Sequence, residues 1–259
     1  CELAGRRDMP VFAGCAQPLQ RPLRTATAAH GETGMNGATL PEPEMTLQPR
    51  HAVDWLIERV MASDNAEITI CAIGPLTNLA TAFRREPRMA GKLREVVIMG
   101  GAGENFGNVT PAAEFNILAD PEAAAVVFAG NCPITLVPLD LTQQVIVTRE
   151  RLARIEKLGS RVGQTVTGLL RFYNGFDTGR VERESDALHD PCVIGYLLRP
   201  EIFIGAPVDV TIGIASDHAL GQTKMDWDGG SGRAPNCTVL RKIDAEGFFQ
   251  LLIERLARY

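Results

Sequence analysis

Short apolar runs alternate with segments of helical periodicity along most of the chain. Runs rich in Val, Ile and Leu occur at residues 10–13, 68–73, 96–99 and 134–139, and each predicts a buried parallel strand. Between them, apolar positions recur at helical spacing at 52–62, 76–83 and 122–128. This alternation predicts an α/β fold with a Rossmann-like open, mostly parallel sheet and flanking helices.

The second half of the chain has a different pattern of predicted elements. Helices are predicted at residues 149–157, 162–173, 191–198 and 245–258, and strands at 208–214 and 238–243. A polar segment covers 174–185, and residues 18–49 are rich in Pro, Gly, Thr and Glu, which predicts a long surface loop. We find no internal repeat, and we expect one domain over residues 1–259.

Composition narrows the function classes. The 259 residues are 45% hydrophobic, and 26 Lys and Arg stand against 31 Asp and Glu. An acidic chain is a poor binder of nucleic acid, which requires a basic surface. No apolar run is long enough to span a bilayer, so we expect no membrane partner. Six scattered cysteines without a CxxC pair indicate a reducing, cytoplasmic location.

A glycine-rich turn at residues 100–107 directly follows a predicted strand. Such a turn can mark a dinucleotide site, but there the helix begins within the glycines. Here Thr110-Pro111 intervenes, and the next predicted helix begins at Asp120-Pro121, an N-cap followed by proline at the first helical position. The turn therefore predicts an exposed loop at the ligand-binding end of the sheet and argues against a nucleotide cofactor.

Polar side chains gather in the loop that follows. Asn108, Glu114 and Asn116 together offer donors and acceptors suited to a polyhydroxyl such as a sugar. The alternative is that the two asparagines hold turns and that Glu114 is solvated. Local sequence favours the alternative.

A second polar cluster precedes the helix at 191–198. Asp190-Pro191 fits a helix N-cap, and capping competes with metal ligation as the role of Asp190. His189 lies beside this carboxylate and is a candidate proton donor.

Taken together, the motifs resemble the inosine-uridine preferring nucleoside hydrolase family. They occur in the family's order and span almost the whole chain: HGETGMNG at 30–37, AIGPLTN at 72–78, MGG at 99–101, GNVTPAAEFN at 107–116, DPEAA at 120–124 and LHDP at 188–191. Each motif is weak alone, whereas the pairing of EFN with LHDP is specific. The resemblance implies hydrolysis of the N-glycosidic bond of purine or pyrimidine ribonucleosides to free base and ribose.

The same resemblance assigns roles to particular residues. His189 matches the acid that protonates the leaving base, and Asp190 with the backbone carbonyl of Ile73 matches the ligands of a Ca²⁺ that binds ribose and the attacking water. The substrate-binding matches are Met99, Asn108, Glu114, Phe115 and Asn116, with His30 and Tyr173 as further candidates. His30 either closes over the site or is a solvated loop histidine. Relatives are usually homodimers or homotetramers, and the implied partner is a ribonucleoside.

One family feature is missing from this sequence. The DxDPGxDD motif, which in the family supplies the general base and two or more metal carboxylates, does not occur. We therefore expect an N-terminally incomplete nucleoside hydrolase domain. The alternative is a catalytically inactive nucleoside-binding paralogue or fragment that lacks the aspartate cluster.

Overall fold

In the computed structural model, which describes residues 1–175 and 187–259, strands form a mostly parallel sheet. The strands are β1 (Thr69–Ala72), β2 (Glu95–Met99), β3 (Ile134–Val137), β4 (Phe203–Ile212), β5 (Thr223–Asp226) and β6 (Cys237–Ile243). Their order across the sheet is β1-β2-β3-β6-β4-β5; the first four in this order pair in parallel, and β4 pairs antiparallel with β6 and β5. The predicted fold class is confirmed.

Helices flank the sheet and connect its strands. They are α1 (Thr27–His30), α2 (Ala52–Ala62), α3 (Thr77–Arg85), α4 (Phe115–Ala119), α5 (Pro121–Ala129), α6 (Leu139–Thr142), α7 (Arg149–Glu156), α8 (Arg161–Tyr173), α9 (Pro191–Leu198) and α10 (Ala245–Leu256). Across the described residues, we find no helix with the length and apolar character of a membrane span.

Alternating side chains of each strand enter two separate cores. Val96 and Ile98 of β2 pack with α2, α3 and α5 on one face. Val97 and Met99 pack on the other face with residues of α7, α9 and α10. Because successive strand residues point to opposite faces, one continuous apolar run in β2 supplies both cores. The carboxyl ends of β1, β2 and β3 therefore open at a common edge of the sheet.

The strand predicted at residues 10–13 is wrong. This segment makes one isolated bridge, between Phe12 and Gln48, and Val11 is exposed. Phe12 instead stacks on Trp55 of α2, with ring centroids 4.7 Å apart. Proline at position 10 lacks the N–H that a central strand requires, and four apolar residues carry no periodicity that separates a strand from a packed loop.

Two further elements differ from the prediction. A helix, α4, begins at Phe115, five residues before the predicted start at Asp120, because Glu114 caps its first turn. Strand β5 was not predicted, since its sequence TKMD contains one apolar residue. The polar segment predicted at 174–185 lies largely outside the described residues.

The long loop at residues 18–49 contains the short helix α1 and is anchored to the scaffold near its start. Asp120, fully buried at the N-cap of α5, accepts hydrogen bonds from the Leu19 N–H and the Thr77 hydroxyl at 2.8 and 2.6 Å. Arg21 forms an ion pair with Glu122 at 2.7 Å. Charge and backbone contacts to α5 thus fix where the loop leaves the core.

Candidate active site

The loop after β2 wraps around one buried carboxylate. Glu114 is 2% exposed and accepts three backbone hydrogen bonds: from Asn116 at 2.9 Å, Gly101 at 3.1 Å and Ile117 at 3.2 Å. Gly101 has a φ of +80°, so the turn that aims its N–H at Glu114 favours glycine. The solvated alternative for Glu114 is therefore wrong: the loop is built around this side chain.

Glu114 is also electrostatically unusual. Burial raises its pKa from 4.5 to about 7, although the three backbone N–H groups lower it. The charge of Asp190 adds to the rise, which places the two carboxyl groups within electrostatic range despite their separation in sequence. Perturbed carboxyl groups in a polar cluster are typical of functional sites.

The two asparagines are partly engaged by the loop and partly open. Asn108 Oδ1 accepts the Phe115 N–H at 2.9 Å, and Asn116 Nδ2 donates to the Met99 carbonyl at 3.1 Å. Met99, which accepts this bond, is 2% exposed, and Phe115 is half-buried. Each asparagine uses one end of its amide to hold the loop, and in the described part of the chain the other end has no hydrogen bond.

His189 is tied to the scaffold through its ring. Its Nδ1 lies 2.8 Å from the hydroxyl of Thr142, the last residue of α6, and the ring is half-buried. Burial, together with the nearby charge of His30, lowers the pKa of His189 from 6.5 to about 4. The ring is therefore neutral at pH 7 in the free protein.

Asp190 is positioned at the N-cap of α9 but does not cap it. Its backbone is helical, and its carboxylate makes no capping hydrogen bond to the described helix. The residue is exposed overall, yet loss of water around its carboxylate raises its pKa while the charge of His30 lowers it. The capping interpretation is therefore wrong, and this carboxylate is available to another partner.

His30 lies over the same cluster. It is at the end of α1 and stacks on Tyr173 of α8, with ring centroids 5.5 Å apart. The loop reaches α8 through a close backbone approach of Gly37 to Gly168, where no Cβ fits, and Gly37 has a φ of +96°. His30 and Tyr173 thus lie together near His189, while Phe176 of the same aromatic segment is outside the described residues.

The described side chains do not form a complete metal site. No group of three or more His, Cys, Asp and Glu residues suited to a metal ion occurs within residues 1–175 and 187–259. Asp190 offers a carboxylate, and Ile73, 49% exposed directly after β1, offers a backbone carbonyl. Calcium takes 6 to 8 oxygen ligands, so these two donors do not fit the ion by themselves.

Two residues missed by the sequence analysis organise the site from α6. Besides Thr142, Asp140 accepts the backbone N–H groups of Gly103, Glu104 and Asn105 at 2.7 to 2.9 Å. Asp140 thereby fixes the loop that leads to Asn108. The LDLT sequence after β3 carries no motif that would reveal either contact.

An open α/β sheet with polar and ionisable side chains at the carboxyl ends of its strands defines a small-molecule enzyme of the Rossmann-like class. The family model of the inosine-uridine preferring nucleoside hydrolases matches residues 1–250. The chain belongs to this family, which confirms the resemblance and makes the protein an N-glycosidase.

Individual relatives match almost the whole chain. The chain is 42% identical to an uncharacterized protein of Schizosaccharomyces pombe and 40% identical to the pyrimidine-specific ribonucleoside hydrolase RihA of Photobacterium profundum, covering 99% of this chain and 83% of each relative. Among solved structures it resembles the plant nucleoside hydrolase PpNRh1, with a TM-score of 0.88 and 33% identity over all of this chain and 83% of the other.

The shifted pKa of His189 predicts how stability depends on pH. Because folding lowers this pKa from 6.5 to about 4, the unfolded chain binds the proton more readily, and stability falls as pH drops from 6.5 towards 4. We expect the free energy of unfolding of the wild type to fall about 2 kcal/mol further than that of His189→Gln across this interval. Urea unfolding at several pH values measures the difference, and parallel pH curves for the two proteins contradict it.

Proposed function

We propose that this protein hydrolyses pyrimidine ribonucleosides and that Glu114, Asn108, Asn116 and His189 carry out the reaction. One observation supports this most directly. Asp190 is close enough to act on the charge of Glu114, and His30 on that of His189, so the loop after β2, the segment before α9 and the loop at 18–49 lie within electrostatic range of one another. Membership in a nucleoside hydrolase family supplies the reaction class.

The free polar atoms suit a ribose. Three backbone N–H groups donate to the Glu114 carboxylate, two to Oε2 and one to Oε1. Among the described residues, Oε1 therefore has room to accept one further hydrogen bond. Asn116 keeps its Oδ1 and Asn108 keeps its Nδ2. Two acceptors and one amide donor match sugar hydroxyls, which both donate and accept.

Hydrolysis breaks the bond between C1′ and the base nitrogen, and its electron pair goes to the base. A water oxygen forms the new bond to C1′ and releases one proton to solvent, and the base takes up a proton from His189, which regains one from solvent. Positive charge develops on the ribosyl group, and the Glu114 carboxylate stabilises it. Negative charge develops on the base, which favours the protonated form of His189 and offsets the low pKa of the free ring.

Pyrimidines are the proposed base class because RihA of Photobacterium profundum is named pyrimidine-specific and is 40% identical over 258 residues. The half-buried Phe115 and the stacked pair of His30 and Tyr173 supply aromatic surface against which a base can pack.

A reducing-sugar assay on the full chain tests the substrate class. We expect ribose release from uridine and cytidine with kcat/KM at least about tenfold above that for inosine, a preference within reach of pocket contacts. Equal or higher kcat/KM for inosine contradicts the pyrimidine assignment. Saturable uridine binding without any ribose release supports the non-catalytic alternative instead.

Calcium is the proposed cation at the edge of this site, with Asp190 and the Ile73 carbonyl as the ligands that the described residues offer. Carboxylate and carbonyl oxygens are the donors that this hard cation prefers, and calcium when bound would polarise hydroxyl groups and water. Since two oxygens do not complete its coordination shell, no step above depends on the ion.

Replacement of Asp190 separates ligation from a merely structural role. We expect calcium to raise the melting temperature of the wild type, and Asp190→Asn to weaken the apparent calcium affinity roughly tenfold or more, because a charged ligand is lost. Asp228→Asn, at an exposed loop position, is the matched control and keeps the wild-type response. An identical calcium response in Asp190→Asn contradicts the assignment.

A further inference from the structure

Thr142 is a fully buried polar residue with one specific contact. It ends α6 immediately after β3 and is 0% exposed. Its hydroxyl lies 2.8 Å from His189 Nδ1, which is its hydrogen-bond partner among the described residues. A buried hydroxyl is costly unless it is paired, so this contact is not incidental.

The backbone around His189 is anchored to the same stretch of chain. The Leu188 N–H donates to the Val145 carbonyl at 3.0 Å, and Ala187 bridges to Ile146. The segment after α6 therefore holds the backbone of 187–188, while the Thr142 hydroxyl holds the ring of His189. With both ends fixed, the imidazole has one orientation relative to the sheet.

The direction of the hydrogen bond determines which nitrogen carries the ring proton. If the ring donated from Nδ1, the buried hydroxyl proton of Thr142 would have no acceptor among the described residues. If the hydroxyl donates to Nδ1, its buried proton has an acceptor and the ring proton resides on Nε2. A hydrogen bond to one imidazole nitrogen thus determines whether the other nitrogen carries the proton.

We propose that Thr142 is a positioning residue for His189: its buried hydroxyl holds Nδ1 and so turns Nε2, on the opposite side of the ring, towards the leaving base. In the neutral ring the hydroxyl donates to Nδ1. When the ring is protonated, Nδ1–H donates to the same oxygen, and the Nε2 proton passes to the base. This inference rests on the proposed function, because His189 matters only if a base departs beside it. Thr142 acts through the ring of His189, because its hydroxyl is fully buried and contacts Nδ1.

Kinetics of matched variants test this role. Thr142→Val keeps the shape but removes the hydroxyl; we expect kcat for uridine to fall roughly 10- to 100-fold, part of what proton transfer contributes, with KM within about threefold. Thr142→Ser keeps the hydroxyl and stays within about threefold of the wild type. Thr167→Val removes a buried hydroxyl that has no partner among the described residues and is the control for general destabilisation.

A second substrate distinguishes positioning from structural damage. In 4-nitrophenyl riboside the phenolate leaves without protonation, so Thr142→Val should hydrolyse it at the wild-type rate. An equal loss on both substrates, or no loss on uridine, overturns the proposal.

Nuclear magnetic resonance gives a readout that needs no turnover. The chain has four histidines, and His189→Gln identifies the ¹⁵N signals of His189. We expect the wild-type ring as the Nε2–H tautomer, with the Nδ1 signal shifted by its hydrogen bond and this shift absent in Thr142→Val. A predominant Nδ1–H tautomer contradicts the proposal. If the wild type cleaves neither substrate, the proposed function fails, and this spectrum still decides the role of Thr142.

Discussion

Glu114→Gln loses ribonucleoside hydrolysis and part of the stability of the fold. An amide nitrogen in place of one carboxylate oxygen faces backbone N–H groups of Gly101, Ile117 or Asn116 and leaves at least one of them without an acceptor. Each buried donor left unpaired costs about 1 to 3 kcal/mol. The charge that stabilises the ribosyl cation is lost as well, so we expect kcat/KM to fall roughly 100-fold or more.

Paired measurements on Glu114→Gln separate the two effects. Urea unfolding gives the loss of stability, and uridine hydrolysis at a temperature where the variant remains folded gives the loss of catalysis. Glu201→Gln, which changes an exposed carboxylate, is the control and should match the wild type in both assays. Wild-type kcat/KM in a folded Glu114→Gln protein would contradict a role of Glu114 in the reaction.

His189→Gln is the second variant that we expect to have a large effect on hydrolysis. Loss of the group that protonates the base should lower kcat for uridine roughly 10²- to 10⁴-fold, the usual contribution of general acid catalysis. The loss should disappear for 4-nitrophenyl riboside, because its leaving group needs no proton. His218→Gln is the matched control, since His218 is exposed in a short helical turn that belongs to none of the three site segments.

The comparison between the two substrates shows whether His189→Gln has lost an acid or a structural contact. A variant with equal losses on uridine and 4-nitrophenyl riboside has lost its fold or its ribose site, and not its acid. In that case the proton comes from elsewhere, and His30 is a candidate because its charge acts on His189.

Amphipathic elements were the most predictable part of the fold. Helices α2 and α9 have the predicted bounds, because the apolar positions of α2 repeat at helical spacing and proline at the first helical position marks the start of α9. Strand β5 and helix α4 escaped prediction because neither has a periodic apolar face: tertiary pairing forms β5, and Glu114 initiates α4.

The sequence identified residues of the site but not the burial and contacts that the fold gives them. The loop after a strand marks Glu114 as a candidate and the motif before α9 marks Asp190, yet local sequence favoured a solvated Glu114 and a capping Asp190. Burial of Glu114 depends on three N–H groups that only the folded loop brings together. The Thr142 contact joins residues 47 positions apart, which no local pattern encodes.

Hydrolysis of uridine in H₂¹⁸O tests the central claim most directly. If the chain cleaves the N-glycosidic bond with water, free uracil and ribose appear in equal amounts, and early ribose carries one ¹⁸O at C1′. Because free ribose exchanges this oxygen slowly, it is trapped by borohydride reduction within the first turnovers. Release of uracil with unlabelled ribose, or no release of uracil from uridine, cytidine or inosine, contradicts the account.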